Sequence, residues 1–102
     1  MEEKVIIITA EWDYSKDDLT TLCLRLHELK INCEIMNYDD PSIIWFVIKH
    51  GISDGIIKIP QIFVIINGEI KRIMYRMSKD LHLEIMNIVN EILKVIIPGL
   101  NH

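Results

Sequence analysis

The side chains best able to do chemistry in this 102-residue chain are crowded into one early stretch, Glu11-Trp12-Asp13-Tyr14-Ser15-Lys16. A carboxylate, a phenol, a hydroxyl and an amine follow one another directly ahead of a run with helical periodicity. Hydroxyls beside a helix N-terminus can bind an anion or steady a thiolate. The plainer reading, preferred here, is helix capping by Ser15 with an Asp13–Lys16 surface pair worth well under about 1 kcal/mol. Cys23 and Cys33 are the two cysteines. Cys23 falls on the apolar stripe of that helix, and Cys33 shares a strand face with Ile31 and Ile35. Both are therefore expected as buried, inert thiols rather than as a disulfide. His27, His50, His82 and His102 show no metal-ligand spacing with one another or with the cysteines, so neither metal nor cofactor is expected. His82 is placed on the exposed side of the last helix.

Two further groups invite attention. Lys58, Lys71, Arg72, Arg76 and Lys79 form a modest basic cluster, read as solvated strand and helix faces. Trp45 and Phe46 lie on a segment that is apolar nearly all round, from Ile43 to Ile48. They either complete a core or act as interface anchors.

These groups must be held by a single domain spanning 1–102, long enough to bury a real core. Half of the residues are hydrophobic and a quarter are charged, which argues against disorder. The formal net charge of −4 offers no general attraction to nucleic acid or to anionic membranes. No apolar run is long enough to span a bilayer, and Met1-Glu2-Glu3-Lys4 lacks the features of a signal peptide. The expectation is a cytoplasmic protein binding neither nucleic acid nor membrane.

Val5-Ile6-Ile7-Ile8-Thr9 and Ile62-Phe63-Val64-Ile65-Ile66 are continuous rather than alternating, so each reads as a strand covered on both faces. Asn67-Gly68 closes the second run as a two-residue hairpin, and Pro60 belongs at its first position. The first helix runs from Ser15 to about Lys30, with Asp17 and Asp18 in its first turn. Ile31 to Met36 alternates as a strand. A second helix is expected from Pro41, capped by Asp39 or Asp40, to about His50, stopping at Gly51. Residues 51–55 read as a loop, Ile70 to Met77 as the return strand, and the last helix as starting near Ser78 and ending at Pro98-Gly99. The order is β-α-β-α-β-β-α, an α/β fold with a mixed four-stranded sheet and three helices.

Ala10-Glu11-Trp12, the segment from Gly51 or Gly55 through Ile59-Pro60, Asn67-Gly68-Glu69 and Ser78-Lys79-Asp80-Leu81 together resemble the thioredoxin and glutaredoxin families. The matching stretches are the tryptophan-cysteine site, the cis-proline turn, the hairpin and the start of the last helix. The resemblance implies a thioredoxin-like fold with Ile59-Pro60 beside the active-site corner. It also implies where the chain departs. Asp13 stands at the nucleophilic cysteine position and Lys16 at the resolving one, so the CxxC dithiol is missing. A carboxylate tolerates the helix-terminal field but cannot exchange a disulfide. Where the family keeps a glycine near the end of the last strand, this chain has Met74-Tyr75-Arg76-Met77, whose side chains would partly fill the groove beside Pro60.

The expectation is a redox-inactive protein-interaction module. Its binding surface would be Trp12, Asp13, Tyr14, Ser15 and Lys16 with Ile59, Pro60, Tyr75 and Arg76. The partner is a protein of unknown identity, and the apolar second helix, through Trp45 and Phe46, suggests a homodimer. Two alternatives stay open. One is a glutathione- or thiol-handling enzyme using Ser15, Tyr14 or Cys33, and the other is an accessory subunit of a larger enzyme.

Overall fold

Continuous β-branched runs become the two central strands of one sheet, as their lack of alternation requires. The computed structural model describes residues 3–97. In chain order these form β1 (Glu3–Thr9), α1 (Lys16–Glu28), β2 (Asn32–Asn37), α2 (Ile44–Phe46), β3 (Ile52–Ser53), β4 (Ile56–Ile57), β5 (Gln61–Ile66), β6 (Glu69–Arg72) and α3 (Ile85–Ile96). The main sheet has the order β2-β1-β5-β6, with β2 parallel to β1 and both other neighbours antiparallel. This is the expected β-α-β-α-β-β-α arrangement of the thioredoxin-like fold, with the short β3–β4 hairpin added between α2 and β5.

Alternate residues of β1 and β5 serve two separate cores. Val5, Ile7, Ile62 and Val64 pack with Leu19, Leu22 and Leu26 of α1 and with Ile88, Val89 and Ile92 of α3. Ile6, Ile8 and Phe63 turn the other way, onto Ile43 and Val47. Each fully buried large aliphatic contributes about 1.5–3 kcal/mol, so neither face of the sheet can be left wet.

Helix α1 ends as its sequence does not advertise. Lys30 N–H bonds the His27 carbonyl and Ile31 N–H bonds the Leu26 carbonyl, both at 2.9 Å. Lys30 sits between them in the left-handed region at φ 62°. This is a Schellman motif, with buried Leu26 and Ile31 making its hydrophobic contact and lysine in the position glycine usually fills.

Four boundaries differ from expectation. The second helix does not start at Pro41: Asp40 Oδ1 accepts from both the Ser42 N–H (2.8 Å) and the Ser42 hydroxyl (2.7 Å), which holds that segment as a turn. Helix α2 is a single short turn that widens into a π-helical stretch, Val47–Gly51. Residues 51–55 are not a plain loop. Asp54 and Gly55, at φ 53° and 74°, join β3 to β4 as a tight hairpin, like Asn67 and Gly68 between β5 and β6. Regular pairing of the return strand ends at Arg72, beyond which Ile73 N–H still donates to Ile62 and Met77 bridges Leu83. The last helix begins at Ile85 rather than near Ser78, because Ser78, Asp80 and His82 bond one another in a closed turn. His82 therefore precedes α3 instead of lying on it. The expected stop at Pro98-Gly99 lies outside the described residues, as does His102.

Candidate functional site

The turn after β1 is built around a buried carboxylate. Asp13 N–H bonds the Ala10 carbonyl at 3.1 Å, turning the chain. Asp13 Oδ1 then accepts from Ser15 N–H at 2.8 Å, while Oδ2 accepts from the Thr9 hydroxyl at 2.7 Å. Thr9, Asp13 and Ser15 are all buried. Asp13 thus does the local work assigned to Ser15, whose side chain makes no cap hydrogen bond to α1. The expected Asp13–Lys16 pair is absent as well: Lys16 Nζ lies 3.7 Å from Glu11 Oε2. Since Asp13 faces in, its neighbours face out. Trp12 is 69% exposed and Tyr14 is 73% exposed.

Across the corner, the Ile59-Pro60 bond is cis and leads directly into β5. Pro60 is buried and Ile59 partly so. The Tyr75 hydroxyl donates to the Pro60 carbonyl. Burial first and the Asp13 charge second push the Tyr75 phenol above its ordinary range, with Arg72 opposing them. The shift extends to more alkaline pH the range in which the phenol keeps its proton and donates this bond. Arg76 is exposed. The Tyr75 hydroxyl thus bonds the Pro60 carbonyl within reach of the buried Asp13 charge, and Trp12, Tyr14 and Arg76 are left toward solvent.

Beneath this corner lies a polar group that sequence reasoning missed. Gln61, fully buried next to Pro60, donates from Nε2 to the Gly51 carbonyl at 2.6 Å. Its Oε1 has no hydrogen-bond partner among the described residues and occupies the place where a Cβ on residue 51 would fall. The signal was a glutamine opening an otherwise apolar strand.

Trp45 and Phe46 part company. Trp45 is 77% exposed, whereas Phe46 meets Phe63 edge-on with centroids 5.1 Å apart and also packs on His50. Ile44 and Ile48 flank Trp45 and are exposed with it.

The cysteines correct the expectation of two free thiols. Cys23 of α1 and Cys33 of β2 are joined as a disulfide, with Cα atoms 5.5 Å apart. Parallel pairing puts Cys33 opposite Val5 and Asn37 opposite Thr9, so the bond lies at the far end of β1 from Asp13. It is also buried, at 7% and 6% exposure. Both sulfurs are consumed in tying α1 to the edge strand.

Among the described residues, no group of three or more His, Cys, Asp or Glu side chains could hold a metal ion, and no helix is long and apolar enough to cross a membrane. Comparison with models of known families, with curated proteins and with solved structures finds no match for the chain.

Proposed function

We propose that this chain is a redox-inactive thioredoxin-like module that works by binding another protein through the corner formed by residues 12–16, Ile59-Pro60 and Tyr75-Arg76. The observation that carries this reading is the Asp13 carboxylate, turned inward and held by Thr9 and Ser15. A residue so placed presents no nucleophile. It makes the loop stiff, and a stiff loop offers the Trp12 and Tyr14 rings at low conformational cost. Large exposed aromatics on a fixed backbone are the usual anchors of protein interfaces. The exposed Ile44-Trp45-Ile48 face supports self-association in the same reading. The Cys23–Cys33 disulfide is the feature that bears on compartment, because such bonds form and persist in oxidising surroundings.

The test pairs an activity assay with a capture assay. Wild-type protein should show no turnover in insulin reduction. Immobilised on a support, it should retain a stoichiometric protein partner that Trp12→Ala and Tyr14→Ala both release, with unchanged melting. Turnover that disappears in Cys33→Ser would instead establish a thiol enzyme.

A further inference from the structure

Three cavities along α3 join end to end into one groove. The first, about 230 Å³, includes Ile66, Lys71 and Val95 in its lining. The second, about 490 Å³, shares Lys71 and Val95 with it and adds Met74 and Glu91. The third, also about 490 Å³, shares Met74 and Glu91 and continues to Arg76 and Asn87. Asn87, Glu91 and Val95 recur every four residues, so a single stripe of α3 forms one wall. Over that stripe the helix rises about 12 Å, the length of roughly four extended residues.

The other wall is β6 and the chain that follows it. Among the described residues, β6 is the last strand of the sheet and has no neighbour on its outer side. The phase of its ladder follows from one bond: Ile73 N–H donates to the Ile62 carbonyl at 2.8 Å. In an antiparallel pair, residues alternate between facing the partner and facing away. Lys71 and Ile73 hence turn their backbone groups to β5, and Ile70 and Arg72 turn theirs outward. A row of outward N–H and C=O groups beside a groove is a template for an added strand.

Charge selects the occupant. Lys71, Arg72 and Arg76 are exposed along this edge, on a chain whose net charge is −4. Arg72, which also borders the second cavity, leans over Phe63 on the opposite sheet face, 5.9 Å from the ring centroid, where no carboxylate of the groove wall competes for it; Lys71 and Arg76 line the α3 side together with Glu69 and Glu91. A second copy is a poor fit. Two β6 edges related by a twofold axis would bring the Lys71-Arg72 pair of one copy against that of the other, and like charges across an interface are unfavourable.

The geometry points to an extended acidic segment of another protein as the occupant, added to β6 as a fifth strand. Its backbone pairs with Ile70 and Arg72, alternate apolar side chains enter the trough on the α3 face near Ile66 and Val95, and its carboxylates, on the opposite face, meet Arg72. This surface meets the Trp12–Tyr14 corner at Tyr75 and Arg76, while the strand edge that binds, Glu69–Arg72, lies outside that corner.

The test titrates the intact protein into a fluorescein-labelled peptide of alternating Glu and Val, with the Lys-for-Glu peptide as control. The acidic peptide should bind saturably and at least about 10-fold more tightly than the control. Amide exchange should slow at Ile70 and Arg72. Arg72→Pro, which removes an N–H that β5 does not use and so should be tolerated by the fold, is expected to weaken binding at least about 10-fold. Arg72→Glu, which keeps the N–H and reverses the charge, should do the same, and carries the test alone if the proline variant does not fold. The proposal is overturned by equal binding of the two peptides, by absence of saturable binding, by slowed exchange at β2 instead of β6, or by a dimer that Arg72→Pro dissociates.

Discussion

Thr9 gives its hydroxyl hydrogen to Asp13 Oδ2 at 2.7 Å, between side chains only 3% and 7% exposed. The last residue of β1 and the turn that follows are thereby locked together. Removing the carboxylate in Asp13→Ala strands the Thr9 hydroxyl and the Ser15 N–H at once. The expected cost is about 2 kcal/mol, typical of leaving buried donors unpaired. Urea unfolding checks the magnitude, and fluorescence anisotropy of Trp12 should fall as the loop loosens.

Reduction of the Cys23–Cys33 bond should destabilise the fold. The cysteines are 10 residues apart in sequence, and closing a loop of that size is worth about 3 kcal/mol in the chain-entropy account. Melting with and without dithiothreitol measures it. Alkylation of native, unreduced protein should add no label.

Lys30→Gly should stabilise by up to about 1 kcal/mol, because residue 30 holds a positive φ that glycine adopts without penalty. The neighbouring Lys30→Ala gains nothing of this kind and serves as the control in thermal melts.

Tyr75→Phe should cost about 1 kcal/mol at neutral pH through loss of the bond to Pro60. It should also alter the alkaline limb. The folded Tyr75 pKa is raised above 10.0, so near and above that pH the unfolded state sheds this proton more readily than the folded one. The contribution is therefore complete below the unfolded value and lost as pH rises through the folded one. Stability measured from pH 9 upward should decline less steeply in the variant.

Trp45→Glu should convert any self-associated form to monomer, read by sedimentation over a wide concentration range, while leaving the core intact. Phe46→Ala, by contrast, should destabilise the monomer by about 3 kcal/mol, since Phe46 packs on Phe63.

The sheet was legible because its signals are local and redundant: two unbroken β-branched runs, one Asn-Gly turn, one proline. The second hairpin carried the same kind of signal at Asp54-Gly55, but its strands are two residues each and offer no periodicity to read. The start of α3 misled for a different reason. Apolar spacing extends back to Leu81, yet Leu81 has φ 64° and ends a turn, while Asp18 of α1 draws the Leu83 N–H at 3.0 Å. Contacts made across 65 residues leave no trace in a local pattern. The disulfide is likewise a fact of how α1 lies on β2. At the corner, the composition was visible, but which of Asp13 and Ser15 faced inward depended on Thr9 lying beneath.

The fit between Gly51 and Gln61 links two positions ten residues apart in a way neither reveals alone. A methyl group at the end of the π turn would meet the tip of the Gln61 amide, which must then swing aside and strain its bond to the residue 51 carbonyl. Homologues that replace this glycine should therefore tend to carry a shorter or apolar residue at 61, and those that keep the glutamine should favour glycine at 51.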